Sequence, residues 1–284
     1  MKFIFFGTTD FSIKILEKLK EKDWLPKLIV TKEDKPKGRN LTLTAPAVKM
    51  WATTNNIDYL QPTTLKNTEF IKNLSVVSCE LYVVCDFGKI IPKEVLDIPK
   101  HGVINVHPSL LPKLRGASPI ESAILYENET GVSIMKMDEE MDHGPILSQK
   151  KVIEWQSDNP PYAGVLEKIL AEEGGNLLIE TLPKYLTGEI KPTIQDENKA
   201  TFTKKIIKED ALINLEESPQ DNLRKIRAYH IWPRAYIYFE SKGKKIRTII
   251  SKAKIDNGEL VIEKVIPEGK KEMDFIDFKN GYLR

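Results

Sequence analysis

The first twenty residues, MKFIFFGTTDFSIKILEKLK (residues 1–20), decide the fold class. Residues 2–6 form an apolar run of the length expected for a buried strand, and Gly7-Thr8-Thr9 follows as a turn. We expect Asp10 to be a helix N-cap, because its short carboxylate can accept hydrogen bonds from free backbone N–H groups. Apolar residues then recur at helical spacing. A strand, a turn and a helix in this order predict the start of a βαβ unit.

The next part of the chain keeps alternating between short apolar runs and helical patterns. This alternation is typical of an α/β protein with a parallel, doubly wound, Rossmann-like sheet. A long helix is predicted after Pro161, and Gly174-Gly175 is expected to interrupt or break it. The other predicted strands are residues 28–30, 81–84, 103–106 and 131–137, and the other predicted helices are 46–54, 64–74, 92–96 and 119–126.

A change in composition near residues 188–198, a polar stretch with several charges, predicts a domain boundary. We therefore expect a catalytic domain over residues 1–188 and a linker over residues 189–203. A smaller domain is expected over residues 204–284.

The C-terminal part has the patterns of a β-rich module. Residues 235–239, 246–251 and 260–266 are typical of strands, and Asn257-Gly258 is a hairpin signal. These features predict a small, OB-like β-barrel. The segment is short for a complete five-stranded barrel, so a trimmed barrel is expected.

The composition is that of an ordinary globular protein of 284 residues, with 41% hydrophobic and 30% charged residues. This length favours about two domains. Cys79 and Cys85 lie in an apolar segment, where we expect reduced core thiols, and two thiols cannot fill a structural zinc site. Neither a membrane-spanning run nor a signal peptide is recognisable, so a cytoplasmic protein without membrane contact is expected.

The net charge of +2 is unevenly distributed along the chain. Residues 201–284 hold 18 Lys and Arg against 13 Asp and Glu, so the C-terminal part is the basic one. A basic module beside an enzyme-sized domain favours a polyanionic partner. An ordinary solvated surface is the alternative.

The strongest chemical signal is GVINVHPSLLPKLRGASPI (residues 102–120). A buried strand ends there in Asn105 and His107, which are two residues apart and so project from the same face. Open α/β sheets bind ligands at the carboxyl ends of their strands. The alternative is that Asn105 caps a turn and His107 satisfies a backbone group. A lone Gly7 after the first strand lacks the dinucleotide glycine pattern, and no Walker loop is present, so a nicotinamide enzyme is disfavoured.

Asp142 lies in an acidic loop, residues 137–146, between two predicted strands. A carboxylate that reaches the imidazole of His107 would fix its tautomer and favour its protonated form, as a site that handles protons near neutral pH requires. A simple Asx-turn before His143-Gly144 is the alternative reading of this residue.

In these motifs the chain resembles the folate-dependent formyltransferases. Asn-x-His followed by Ser-Leu-Leu-Pro, with Asp-x-Gly downstream, is a strong signal of formyl transfer, and the matches cover nearly the whole chain in the family's order. The matching segments are FGTTDF (6–11), DKPKGR (34–39), DFGKIIP (86–92), NVHPSLLP (105–112), RG (115–116), TGVSIM (130–135), DHG (142–144) and IRAYHIWP (226–233).

The resemblance implies that 10-formyltetrahydrofolate is the co-substrate and that the α-amino group of initiator methionyl-tRNA is the acceptor. Asn105, helped by His107, would hold the developing oxyanion. His107 would take or relay the proton of the amine, and Asp142 would orient it and assist proton delivery to the leaving nitrogen. The assignment of each proton to His107 or Asp142 stays open. Neither a metal nor a covalent nucleophile is expected.

The resemblance also implies a folate site along two short segments. The pterin is expected to pair with backbone groups along Asp86, Phe87 and Gly88, and an apolar wall is expected from Ser109, Leu110, Leu111 and Pro112. Ordinary turn chemistry is the alternative for Gly88 and Pro112, and Leu110 and Leu111 could equally be core.

The basic loop over residues 32–44 corresponds to the family's tRNA-contacting insertion, with Lys35, Lys37 and Arg39 as candidate contacts. The chain departs from the family here, because Asn40-Leu41-Thr42 stands where Gly-Lys-Lys is common, and fewer charges weaken phosphate contacts. A formyltransferase acting on a nucleotide-linked amino sugar is the alternative. A folate- or RNA-binding module without catalysis is a further one. A monomer is expected.

Overall fold

The computed structural model describes residues 1–37, 41–241 and 243–283. The strands are β1 (Phe3–Gly7), β2 (Leu28–Val30), β3 (Lys35–Lys37), β4 (Thr42–Thr44), β5 (Tyr59–Leu60), β6 (Leu81–Cys85), β7 (Val103–His107), β8 (Arg115–Gly116), β9 (Glu129–Lys136), β10 (Ile146–Glu154), β11 (Phe202–Thr203), β12 (Tyr236–Ser241), β13 (Lys244–Asp256), β14 (Glu259–Pro267) and β15 (Met273–Asp274). The α-helices are α1 (Asp10–Lys20), α2 (Ala47–Thr54), α3 (Thr68–Val76), α4 (Lys93–Leu96), α5 (Pro119–Tyr126), α6 (Ala163–Leu186), α7 (Pro219–Ala228) and α8 (Phe275–Tyr282), and Glu197–Lys199 and Lys208–Ala211 are 3-10 helices.

The turn between β1 and α1 is capped differently from the prediction. Thr9, in an extended conformation, is the N-cap, and Asp10 is the first helical residue, so the predicted cap at Asp10 is wrong. The hydroxyl of Ser12 accepts from the backbone N–H of Thr8 at 3.1 Å and donates to the carbonyl of Cys85 at 2.6 Å. Ser12 therefore satisfies a free N–H at the helix start and also ties the turn to the end of β6.

The central sheet has the strand order β10-β9-β7-β6-β1-β2-β5. Five adjacent strands of this order, β7, β6, β1, β2 and β5, run parallel to one another, so the predicted Rossmann-like fold is confirmed. The sheet is mixed, however, because β9 runs antiparallel to β7, with His107 opposite Ser133. The connection that leaves β7 therefore returns to the same edge of the sheet, where His107 lies.

Helix α6 runs without a break through Gly174 and Gly175, so the predicted interruption is wrong. A Cβ on Gly174 would lie 2.9 Å from Cγ1 of Val106, and a Cβ on Gly175 would lie 2.7 Å from Cβ of Lys18. The two glycines allow α6 to lie close to β7 and α1. This close packing outweighs the low helix propensity of glycine, about 1 kcal/mol per residue.

The basic segment that was predicted as a loop contains a short antiparallel pair of strands. Lys35 of β3 lies opposite Thr44 of β4, and Lys37 lies opposite Thr42. Asp34, directly before this pair, accepts from the ammonium group of Lys49 at 2.7 Å and from the amide of Gln61 at 2.7 Å. These contacts hold the base of the segment, and they keep the pKa of Asp34 below its usual value, with the Gln61 hydrogen bond as the largest cause.

The chain divides into two compact units. The first comprises residues 1–117, 131–152 and 168–202, and the second comprises the remaining segments, including residues 203–284. Residues that the sequence assigns to the first domain thus contribute to the second unit, and much of the expected linker belongs to the first. The exact domain boundaries stay a prediction.

The second unit contains a four-stranded antiparallel sheet of β12, β13, β14 and β15. Asn257 and Gly258 join β13 to β14 with positive φ angles of 49° and 81°, so the predicted hairpin is confirmed. Its core includes Leu223 and Ile226 of α7 together with Ile250 of β13. Among the described residues, no helix is both long and apolar enough to cross a membrane.

Candidate active site

Strand β7 brings two polar side chains to the carboxyl edge of the parallel sheet. Asn105 is 8% exposed and His107 is 4% exposed, in a strand whose other residues are apolar and buried. The two side chains lie on one face because alternate residues of a strand point the same way. Buried polar groups of this kind need partners, and the partners of both residues come from outside the strand.

Asp142 is the partner that the two residues share. Its Oδ1 atom lies 3.4 Å from Nδ2 of Asn105 and 3.7 Å from Nδ1 of His107, and its Oδ2 atom accepts from the backbone N–H of Gly116 at 2.8 Å. Asp142 has a φ angle of 52°, in the left-handed region that aspartate tolerates better than most residues. The three side chains predicted to be catalytic therefore meet at one point.

A backbone carbonyl fixes the tautomer of His107. Nε2 of His107 lies 3.1 Å from the carbonyl oxygen of Leu114, which can only accept, so Nε2 carries a proton. In the neutral ring Nδ1 then has a free lone pair, and this atom is the one that faces Asp142. The imidazole can take up a proton at Nδ1, beside a carboxylate that stabilises the resulting cation.

The predicted folate segment at residues 86–88 follows β6 directly. Asp86 and Gly88 both have positive φ angles, 43° and 64°. Phe87 is buried in the core, edge-on to Phe6, so it offers a ligand only its backbone. Threonine hydroxyls of the β1–α1 turn hold this loop, because Thr9 donates to the Asp86 carboxylate at 2.6 Å and Thr8 donates to the Phe87 carbonyl at 3.1 Å.

Ser133 of β9 holds the second predicted folate segment, residues 109–112, through two hydrogen bonds. The Ser133 hydroxyl donates to the carbonyl of Ser109 at 2.6 Å and accepts from the N–H of Leu111 at 3.1 Å. Gln149 of β10 donates to the carbonyl of Leu111 at 2.8 Å. Leu111 is core, at 3% exposed, whereas Leu110 is partly exposed. Only Leu110 of this pair can supply an apolar wall.

A cavity of about 290 Å³ lies at the carboxyl ends of β1 and β2. Lys35 lines it, together with Lys32, Thr8 and Thr9. A Cβ added to Gly88 would overlap the Lys32 ammonium group, which shows that Lys32 reaches the segment predicted to bind folate. Lys37 belongs to the same short strand as Lys35, and Arg39 lies outside the described residues.

Several residues of the site were not predicted from the sequence. Lys32 lies in the predicted basic loop, Ser133 in a predicted strand and Gln195 in the predicted linker, whereas Gln149 lies outside the predicted elements. The amide of Gln195 donates to the carbonyl of Asp142 at 2.9 Å. Ser133 lies in the matched segment TGVSIM, but the other three are single polar residues among polar neighbours, a signal too common to single out a site.

The expectation that no metal is needed stays a prediction. Within residues 1–37, 41–241 and 243–283, no group of three or more His, Cys, Asp or Glu side chains could hold a metal ion.

Comparisons with known proteins identify the family of the chain. Residues 1–182 match the model of the formyl transferase family. A methionyl-tRNA formyltransferase of Dictyoglomus thermophilum is 39% identical over 308 residues, which cover 99% of this chain and 97% of that protein. A sugar N-formyltransferase from a Shewanella species has a TM-score of 0.65 at 17% identity, covering 93% of this chain and 99% of its own. HypX from Aquifex aeolicus in complex with tetrahydrofolic acid has a TM-score of 0.67 at 16% identity, covering 100% of this chain and 48% of its own.

The chain belongs to the formyl transferase family, because the family model matches residues 1–182 and a full-length relative is 39% identical. The α/β sheet with its polar carboxyl edge is consistent with this assignment. The family predicted from the motifs is thereby confirmed, and with it the prediction of a group-transferring enzyme. At 17% and 16% identity, the structural matches support the fold assignment alone.

Proposed function

We propose that the protein transfers the formyl group of 10-formyltetrahydrofolate to the α-amino group of initiator methionyl-tRNA, for translation initiation. The observation that carries the proposal is the meeting of Asn105, His107 and Asp142 at one strand edge. The full-length relative at 39% identity is named a methionyl-tRNA formyltransferase, whereas the similarity to the sugar-modifying enzyme is confined to the fold.

Asn105 provides the electrophilic assistance. One N–H of its amide is directed toward Asp142, which leaves the other for the formyl oxygen. Negative charge develops on that oxygen when the amine attacks, and a donor already fixed in a buried site stabilises it without reorganisation. Removing a donor of this kind typically lowers turnover by about 10²–10³.

His107 handles the proton. A new bond forms between the amine nitrogen and the formyl carbon, so the amine must lose a proton, and Nδ1 is the ring atom free to accept it. Asp142 stabilises the charged imidazole from 3.7 Å. The proton then returns to the folate nitrogen as its bond to the formyl carbon breaks. Nothing is oxidised or reduced, so formylated amine and tetrahydrofolate balance the reaction.

The residues at the site fit a folate donor, which supplies a formyl carbon open to attack. The exposed backbone of Asp86 and Gly88 can pair with a pterin. A side chain at position 88 would be strained because the φ angle of Gly88 is positive, and it would overlap the Lys32 side chain, so glycine keeps this approach open. Leu110 adds apolar surface on the other segment.

The basic residues of the chain favour a polyanionic acceptor. Lys32 and Lys35 line the cavity beside Asp10 and Glu33, and residues 201–284 carry an excess of basic residues. Cationic groups on a protein favour a polyanion such as tRNA over a small amino sugar, and they make its binding salt-dependent.

An acceptor assay tests the proposal. The protein is incubated with 10-formyltetrahydrofolate and either methionyl initiator tRNA or a nucleotide-linked amino sugar, with the Asn105→Ala variant as the control for background formylation. We expect formyl-methionine on the tRNA and no formylated sugar. Formylation of the sugar alone would overturn the acceptor assignment, and no formylation of either would overturn the enzyme assignment.

A further inference from the structure

Residues 193–201, which we call the strap, were predicted as linker but belong to the first compact unit. The strap begins with a bridge to β10, in which Thr193 and Ile146 exchange two backbone hydrogen bonds of 2.8 Å each. Most of its side chains are exposed, but that of Gln195 is only 5% exposed. A buried amide in an otherwise exposed segment requires an explanation.

The amide nitrogen of Gln195 binds the turn that carries Asp142. Nε2 donates to the backbone carbonyl of Asp142 at 2.9 Å and to that of Gly144 at 2.7 Å. These two carbonyls flank His143 and define the path of the turn. Because Asp142 has a left-handed backbone conformation, this path needs support from the surrounding structure.

Arg115 sets the orientation of that amide. Its Nε and Nη2 atoms donate to Oε1 of Gln195 at 3.1 and 2.9 Å, so the amide nitrogen must point toward the two carbonyls. Glu197 of the strap accepts from the same guanidinium at 2.6 and 3.0 Å, which balances the charge of an arginine that is 2% exposed. Arg115 in turn lowers the pKa of Glu197.

The end of the strap holds the opposite side of the site. Thr201 accepts from the N–H of Arg115 through its carbonyl and from the N–H of Leu114 through its hydroxyl, both at 2.9 Å. The carbonyl of Leu114 accepts from His107, and the N–H of the neighbouring Gly116 donates to Asp142. One segment thus supports the partners of both proton-handling side chains.

We propose that Gln195 is a positioning residue for formyl transfer, which acts by holding the Asp142 turn, and that Arg115 fixes the Gln195 amide for this task. This inference rests on the proposed function. It assigns the strap a role in the rate of the chemical step, whereas an ordinary linker would contribute only to the connection between domains.

The test compares Gln195→Leu with Ile194→Ala, a neighbouring variant whose side chain is 86% exposed. A misplacement of a reacting group by about 1 Å can cost about 10²-fold in rate. We therefore expect kcat of Gln195→Leu to fall by up to about 10²-fold, with the KM for the folate within about twofold of wild type, and Ile194→Ala to behave as wild type. Gln195→Glu, which keeps the shape and loses the donors, should show the same loss if the leucine variant folds poorly.

A double-mutant cycle with Asp142→Asn separates positioning from general destabilisation. If Gln195 acts through Asp142, adding Gln195→Leu to Asp142→Asn lowers the single-turnover rate by less than about twofold. A further loss as large as that in the wild-type background overturns the proposal. Wild-type kcat in Gln195→Leu, beside a slow Asp142→Asn, also overturns it and leaves the proposed function intact. Full activity of Asp142→Asn would instead count against the proposed function itself.

Discussion

The Nε2 atom of His107 lies 3.1 Å from the carbonyl oxygen of Leu114, and this contact determines which nitrogen of the ring is free for chemistry. The hydrogen bond keeps the proton on Nε2 and directs Nδ1 to Asp142. Leu114 has a φ angle of 61° and is held by Thr201, so the acceptor of this hydrogen bond is fixed before substrate binds.

Two substitutions at His107 should separate the role of its Nδ1 atom in proton transfer from the structural hydrogen bond of its Nε2 atom to Leu114. Glutamine keeps an N–H donor at the position of Nε2 and lacks a group that titrates, so His107→Gln is expected to lose about 10²–10⁴ in kcat with a melting temperature near that of wild type. His107→Ala also leaves the carbonyl of Leu114 without a donor, which costs about 1–3 kcal/mol in the free energy of unfolding. Single-turnover rates and urea unfolding measure the two effects. Near-wild-type turnover of His107→Gln would contradict the role of Nδ1.

The strand that carries this site could be predicted because its signals are local. Alternation along β7 puts Asn105 and His107 on one face whatever the rest of the chain does. The hairpin at Asn257-Gly258 was predictable for the same reason, since asparagine and glycine tolerate the positive φ angles that such a turn requires. The antiparallel direction of β9 was not, because nothing in a strand's own sequence records which way its neighbour runs.

Gly174→Ala should destabilise the protein although alanine is the better helix former. The new Cβ would lie 2.9 Å from Cγ1 of Val106, a stiff buried side chain between Asn105 and His107. We expect a loss of about 1–3 kcal/mol in the free energy of unfolding, together with a lower kcat. Gly281→Ala, in α8, is the matched control, because its added Cβ would meet no described atom within 4 Å beyond its chain neighbours and the backbone of its own helix. Urea unfolding of both variants checks the prediction, and equal stability of the two would contradict it.

The ion pair between His143 and Asp138 should make stability depend on pH above neutrality. Asp138 lies 2.6 Å from Nδ1 of His143, and this hydrogen bond is the main cause that raises the pKa of His143 above its ordinary value of 6.5. A raised folded-state pKa contributes stability that is fully present below pH 6.5 and is lost as pH rises through the folded-state value. The difference in unfolding free energy between wild type and His143→Gln should therefore shrink as the pH rises above 6.5. A difference that stays constant as the pH rises through this region would contradict the pairing.

Lys35 should contribute to acceptor binding and not to donor binding. Its side chain is exposed at the cavity beside β1, so Lys35→Ala is expected to raise the KM for tRNA several-fold and to reduce the salt slope of tRNA binding by about one. Lys20→Ala is the control, because Lys20 is an exposed lysine at the far end of α1, toward the amino edge of the sheet. Equal effects of both variants, or an equal rise in the KM for folate, would remove Lys35 from the acceptor site.

The residues that support the site could not be predicted, because their function depends on distant parts of the chain. Gln195 is 53 residues from Asp142 and 80 from Arg115, and a polar stretch with a proline has the composition of a linker wherever the chain goes next. Lys32 reaches Gly88 across β1 for a similar reason. The uninterrupted helix at Gly174-Gly175 is a third case, since tertiary packing overrides helix propensity there.

The central claim is that the amide of Asn105 stabilises the formyl oxygen during transfer. The most direct measurement is the single-turnover rate of formylation of initiator methionyl-tRNA by Asn105→Ala, with folate affinity and melting temperature measured on the same protein and the exposed Asn198→Ala as control. The account predicts a rate lower by about 10²–10³, with folate affinity and folding close to those of wild type. A rate equal to that of wild type would contradict it.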